Sequence, residues 1–464
     1  MICGFESGPM MEVLRDLDSE GIITIKRWLY DPNDCVSFLV DDSRSRAKTT
    51  LWRGEWQVLN RFPDDSVTEA VLQQMDWIMQ EFARYTEFYR DTYYEYKNII
   101  NHMVNEFYNE LITYDIQQVL FPDIPHGPIN ALLYIVAKSM GIDTLYLGVY
   151  NYFPGRFMYA HTIEEYGNIL SLPDCLIENE TVHIERKYEK EWSYMTPEAI
   201  KKERGEDWHR KVRSVVSPLL WLKERRKMLH KNKDAYDSVG EYVERKIVKV
   251  ITKKVRTLMY NKNNKKNVDG VDFSKDYVYV PLHLQPEMTV DTIGLSYRDQ
   301  LLAVEKVRNI IPKDWYIYIK ENPKQTRESR DEKFFKRLNA IAKVKWVPGD
   351  TNTYDLIDGA KFVATVTGTA AWEAVTGGKP ALVFGVPWFQ NFPGIIKYND
   401  SIDWRDIVSC KWNHDDLEKM AMKVNKKLYR GCWLNEDVEK LTDEERVANM
   451  KSLKMAMTDI FDRV

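Results

Sequence analysis

Cysteine is scarce in this chain: five residues in 464, at Cys3, Cys35, Cys175, Cys410 and Cys432, odd in number and far apart. They form neither a disulfide framework nor a CxxC metal pair, which is the usage of a reducing compartment. Long apolar runs are missing too. Nothing approaches the roughly 18–20 residues that span a bilayer, and the opening Met1-Ile2-Cys3-Gly4-Phe5-Glu6 lacks the basic and apolar regions of a signal peptide. A cytoplasmic location is therefore expected. Nor is there an excess of one charge. Lys+Arg total 66 and Asp+Glu 70, a formal −4, so the whole chain gives no reason to expect nucleic acid. No internal repeat of solenoid period is present.

What is present is the composition of a globular protein, 44% hydrophobic and 29% charged, which excludes a disordered or fibrous chain. The length predicts two or three domains. Residues 2–5 read as a short strand, Glu6-Ser7-Gly8-Pro9 as a turn and 10–17 as a helix. Ile22-Ile23-Thr24-Ile25 reads as a β-branched strand. Val67, Val71, Leu72, Met75, Ile78, Met79 and Phe82 recur at helical spacing and predict one long amphipathic helix, with a second over 91–111. A strand at 119–121, a turn over 122–128, a helix over 130–140 closed by Gly141, and a strand at 144–147 make a βαβ unit, so the sheet is expected to be parallel.

The middle differs. Between residues 201 and 266 there are 21 Lys/Arg against 8 Asp/Glu, a local +13 that leaves −17 for the remainder. An apolar stripe (Val243, Ile247, Val250, Ile251, Leu258) runs through it. It reads either as a surface that docks on an anionic membrane leaflet or as a solvated helical insertion. Alternation then resumes, with strands at 277–280, 315–319, 343–347, 362–366 and 380–384 separated by helices. The expected organisation is a Rossmann-like domain over 1–175, a basic helical insertion over 176–268, a second Rossmann-like domain over 269–425, and C-terminal helices over 426–464 that pack back on the first domain.

Two stretches of the second alternation carry candidate chemistry. Ala364-Thr365-Val366-Thr367-Gly368-Thr369-Ala370-Ala371-Trp372-Glu373 takes a buried strand through a small-residue turn straight into a helix. Helix-opening N–H groups there suit a phosphate, with Thr367 and Thr369 hydroxyls as further donors. Gly368 permits close backbone approach, and Glu373 is placed to accept from ribose hydroxyls. An ordinary helix cap is the alternative. The loops His283-Leu284-Gln285-Pro286-Glu287 and Lys320-Glu321-Asn322-Pro323 close neighbouring strands, where ligands of open α/β sheets collect. Lys320 would neutralise a phosphate. Solvated loop polarity is the plain alternative.

Taken in order, residues 281–287, 320–325, 365–374, Gly378-Lys379-Pro380 with Phe384-Gly385, and Trp388 with Pro393-Gly394 resemble the capsule polysaccharide biosynthesis family, which includes bacterial Kdo transferases. Residues 123–130 and 137–142 look like its first-domain counterpart. The chain departs from that pattern at Asn322, where a histidine precedes the proline, and at Asn130, where an aspartate is expected. The resemblance implies an α/β GT-B-like fold: two Rossmann-type domains facing a cleft, with the helical insertion.

It also implies a glycosyltransferase that takes a CMP-activated donor, Kdo or a related ulosonic acid, to a glycan or lipid-linked acceptor. Donor binding then falls to His283, Gln285, Lys320, Glu321, Asn322, Pro323, Thr367, Gly368, Thr369 and Glu373. Catalysis falls to Asp123, His126 and Glu287, with Arg156 as a partner for the sugar carboxylate. No DxD motif stands between strand ends, so no metal is expected and the nucleotide sugar is the sole small-molecule requirement. The remaining partners would be the acceptor and an anionic membrane surface at the inner face of the plasma membrane, reached through 201–266. A CDP-dependent polyol-phosphate transferase and a catalytically silent nucleotide- or glycan-binding subunit are the competing readings.

Overall fold

In the computed structural model the described residues are 1–32, 37–52, 61–84, 93–150, 152–175, 182–187, 191–192, 195–203, 255, 258, 260, 270–325 and 330–463. The chain divides into two compact units, Met1–Glu180 with Met422–Val464, and Thr181–Ala421. Strands β1 (Ile2–Cys3), β2 (Trp28–Tyr30), β3 (Ser45–Ala47), β4 (Gln118–Phe121), β5 (Asp143–Val149) and β6 (Arg156–Ala160) come first. Next are β7 (Tyr277–Pro281), β8 (Tyr316–Lys320), β9 (Val344–Trp346), β10 (Phe362–Thr365), β11 (Ala381–Val383) and β12 (Ile395–Lys397). Strand β13 (Tyr429–Arg430) returns to the first unit.

The first unit holds a sheet of order β13-β6-β5-β4-β1-β2-β3. Strands β1 to β5 pair in parallel, while β6 and β13 run antiparallel at one side. Parallel strands need helices over both faces, and β4 and β5 accordingly read as nearly continuous apolar runs. The helix Pro9–Ser19 buries Met10, Val13, Leu14 and Leu17 in one core with Leu453, Met457 and Ile460 of the helix Asp443–Arg463. The helix Tyr93–Thr113 is tied to β2 and β3 by a buried ion network. In it Arg27 meets Glu110 at 2.9 Å, and Arg46 meets Glu110 at 2.6 Å and Glu106 at 2.9 Å. Breaking such a network is costly because it strands a charge away from water.

The second unit is a six-stranded sheet, β12-β11-β10-β7-β8-β9, parallel throughout. Strands β7, β8 and β10 bury Val278, Val280, Ile317, Ile319, Phe362 and Ala364 beneath the helices Gln300–Ile310 and Glu332–Ala340. Chain order reverses between β7 and β10 here and between β1 and β4 in the first unit, and such reversals open crevices at strand carboxyl ends. The fold is α/β with two predominantly parallel sheets. No described helix is long and apolar enough to cross a membrane.

Three expectations need correction or placement. The strand expected at 22–25 is irregular chain: the Ile25 amide donates to Asp18 Oδ1 at 2.8 Å instead of to a ladder, and pairing starts only at Trp28. The single long helix over 67–82 is two, Asp65–Gln73 and Met75–Arg84, interrupted at Gln74 (φ −101°, ψ 11°). The basic segment lies almost wholly outside the described residues; at its margins stand the helix Pro197–Glu203 and Tyr260, which is buried against Phe335.

Candidate functional site

Loops after β7, β8 and β10 of the second unit are joined by a hydrogen-bond chain. His283 lies just past β7, and its Nε2 is 2.9 Å from Thr365 Oγ1 and accepts from the Thr367 amide at 3.2 Å. An imidazole accepting at Nε2 keeps its proton on Nδ1. Burial, and secondarily the Arg330 charge, push its pKa down to about 4, so it is neutral near pH 7. The Thr365 hydroxyl also accepts from the Gly368 amide at 3.3 Å. Gly368 is required by space: a Cβ would lie 2.8 Å from Thr365 Oγ1 and 3.2 Å from His283 Cε1.

Those bonds use the amides of Thr367 and Gly368. The helix Thr369–Thr376 then begins with no side-chain cap, at the half-exposed residues Thr369 and Ala370. Amides of a first turn have no intrahelical acceptor, and the positive end of the helix dipole adds to them. This opening can receive an anion through backbone N–H groups at the end of β10, beside the reversal in strand order.

The β8 side is held by Arg330. Its Nε and Nη2 meet Glu321 Oε2 and Oε1 at 3.1 and 3.2 Å, Nη2 also donates to the His283 carbonyl at 3.2 Å, and the guanidinium stacks over Phe334 at 4.8 Å. Gln285 is enclosed in the same lattice. Its amide donates to Gln325 Oε1, its Nε2 to Asp291 Oδ1 and the Arg298 carbonyl, and its Oε1 accepts from Gln300. Asn322 turns its own loop, with Oδ1 accepting from the Lys324 amide at 2.9 Å, an Asx turn ahead of Pro323. Lys320 is 5% exposed and donates to Thr353 Oγ1 at 2.7 Å. Glu287 stands at the start of the short helix Met288–Asp291 without a side-chain cap bond, and its backbone amide donates to Asp291 Oδ2.

Glu373 takes a different place from the one its residue type suggested. It is 1% exposed, and its Oε1 accepts from buried Trp192 Nε1 at 3.2 Å. The carboxylate expected to meet a ribose instead anchors residues 191–192 on the helix Thr369–Thr376. Thr367 likewise turns inward, its hydroxyl donating to the Thr289 carbonyl.

In the first unit the loop after β4 carries Asp123 and His126. Burial raises the Asp123 carboxyl above its ordinary range, against the pull of His126 and of the Ile124 amide at 2.7 Å. His126 Nδ1 is 2.7 Å from the Ile124 carbonyl, to which it donates. The loop is fixed from outside by Glu81 on the helix Met75–Arg84. Fully buried, Glu81 accepts from the Gly127 amide at 2.7 Å and from Trp77 Nε1 at 3.2 Å. Asn130 Oδ1 accepts from the Cys3 thiol at 3.2 Å. Arg156 opens β6, 9% exposed, and burial followed by Arg430, its partner across β13, lowers its pKa.

The structure thus brings together His283, Gln285, Glu321, Thr367 and Gly368 in one unit, and Asp123 with His126 in the other. Arg330, Thr353, Trp192 and Glu81 were not singled out from sequence. Glu81 left a signal, a carboxylate among Trp77, Ile78 and Phe82 on an apolar helical face. Arg330 left none, because its hydrogen-bond partners come from 9 to 47 residues away.

Residues 225–422 match the family model described as capsule polysaccharide biosynthesis protein. The resemblance read from the residues is met over that stretch. No curated protein matches the chain. Among solved structures, the beta Kdo 2,7 transferase KpsC of Thermosulfurimonas dismutans is similar at 11% identity, over 75% of this chain and 89% of that one, with a TM-score of 0.31. The beta Kdo 2,4 transferase of the same KpsC gives 12%, 73%, 87% and 0.29. The UDP-GlcNAc 2-epimerase of Methanocaldococcus jannaschii gives 13%, 99%, 98% and 0.22.

Proposed function

We propose that this chain is a glycosyltransferase of surface or capsular polysaccharide biosynthesis, moving a sugar from a CMP-linked donor, Kdo or a related ulosonic acid, to a glycan or lipid-linked acceptor. The observation that carries the reading is the uncapped first turn at Thr369 and Ala370, open at the end of β10 within a match to a capsule biosynthesis family. Glycosyl transfer needs its departing phosphate stabilised as charge develops. The uncapped amides of Thr369 and Ala370 supply that without reorganising, because His283 and Thr365 hold the turn just before them through the Thr367 and Gly368 amides. Lys320 adds positive charge through the β8 end, and a single donor phosphate needs little more.

Transfer also needs a base for the attacking hydroxyl. Asp123 fits, since a carboxylate whose pKa is raised by burial holds a proton more readily than an exposed one, and His126 stands beside it. Glu287 is the second carboxylate candidate, and Arg156 the partner for a sugar carboxylate. Attachment at the cytoplasmic face of a membrane rests on the +13 balance of residues 201–266.

A thermal-shift panel of CMP, CDP, UDP and GDP tests the reading, with CMP expected to stabilise most and product mass expected to rise by one sugar residue. Stabilisation by UDP alone, or a gain of a phosphopolyol, would replace it.

A further inference from the structure

We propose that Lys48 and Glu6 form an oxyanion-binding site at the carboxyl ends of β1, β2 and β3 in the first unit, taking a carboxylate or phosphate group. The proposal goes beyond the transferase reading and uses none of its residues. Lys48 follows β3, and its backbone amide donates to the Tyr30 carbonyl at the end of β2. Its side chain, 16% exposed, reaches back to the loop after β1, where its ammonium meets Glu6 Oε1 at 3.5 Å.

That is the only partner of the ammonium among the described residues, and it lies at the outer limit of a hydrogen bond. The same Glu6 oxygen is held closer by the Asp31 amide, at 3.0 Å. An ammonium carries three donors, and that of half-buried Lys48 spends a single long contact on Glu6. Its pKa is raised: burial lowers it, and the carboxylates of Glu6 and Asp31 act against burial.

The surroundings favour the same ligand. The loop reaches Glu6 through Gly4 (φ 106°) and Phe5 (φ 59°), two successive left-handed residues. Phe5 is a bulky side chain in a region that costs about 1–3 kcal/mol, and such strain persists where the surroundings over-determine it. Past Glu6 the helix Pro9–Ser19 starts at Gly8 with no side-chain cap, adding the positive end of its dipole. An incoming oxyanion would take the donors of Lys48 that Glu6 leaves open.

The test titrates the full chain with inorganic phosphate, glucuronate and glucose by calorimetry, with CMP in parallel. Phosphate or glucuronate is expected to bind and glucose not to, and the tighter of the two anions identifies the source. Lys48→Met should weaken anion binding at least 10-fold without moving CMP binding. Glu6→Gln should tighten it 2- to 5-fold, because the internal competitor loses its charge. Equal binding of glucose and glucuronate, or anion binding unchanged in Lys48→Met, overturns the proposal. If Lys48→Met does not fold, the Glu6→Gln titration decides: tighter binding supports the site and unchanged or weaker binding removes it. Failure of CMP to bind would count against the nucleotide reading alone.

Discussion

Replacing Arg330 with Met keeps much of the side-chain volume and removes the fork that joins the β7 and β8 loops. The wild-type pair is enclosed, with side-chain exposures of 4% for Arg330 and 10% for Glu321. The substitution leaves the Glu321 carboxylate without its counter-charge and takes a donor from the His283 carbonyl. Truncating one partner of a buried pair costs about 3–5 kcal/mol. In a unit of this size each kcal/mol moves the melting temperature by about 2–4 °C, so a loss of about 10 °C is expected by calorimetry. The cost arises from the stranded charge rather than from lost packing, so adding Glu321→Leu to Arg330→Met should recover part of it. Arg330→Lys, which keeps charge without the planar fork, should fall between. A melting temperature within 1 °C of wild type for Arg330→Met, or no recovery in the double variant, would refute the staple.

Acidification should loosen the same loops. His283 has a native pKa of about 4 against an ordinary 6.5, so between those values the unfolded state binds more protons and stability rises with pH. Stability from this group is complete above about pH 6.5, falls by at most about 3 kcal/mol on the way down, and is gone below about pH 4; His283→Gln should flatten that limb in denaturant titrations. Gly368→Ala should destabilise by about 1–3 kcal/mol through overpacking against Thr365 and His283, and should weaken CMP binding in calorimetry. Asp123→Asn should lower transfer by about 10²–10⁴-fold and leave CMP affinity unchanged; full activity would move the base elsewhere. Glu81→Ala should cost about 1–3 kcal/mol by leaving the Gly127 amide unsatisfied, and amide exchange at Gly127 should quicken.

The strands flanking the site were legible because Tyr277–Pro281, Tyr316–Lys320 and Phe362–Thr365 are aromatic and β-branched runs that stop at polar residues, Pro or Gly. Strands β2 and β3, three residues each, are too short for any period to show, and β6 opens on an arginine that reads as loop. Apolar periodicity runs straight through Gln74, so the helix break there was invisible. The Thr367-Gly368-Thr369 turn stood out because helix-opening turns are local chemistry. The inward role of Glu373 did not, since its partner Trp192 lies 181 residues away. Lys48 and Glu6 are 42 positions apart and meet only because β1, β2 and β3 stack in register.

Capture of a nucleotide phosphate by the amides opening the helix at Thr369 is the step on which the proposed transfer depends. Titrating CMP into ¹⁵N-labelled protein tests it most directly. Saturable shifts of the Thr369 and Ala370 amide resonances are expected, with smaller changes at Thr367 and Gly368, whose amides are already bonded. Saturable CMP binding that leaves Thr369 and Ala370 unmoved would contradict it.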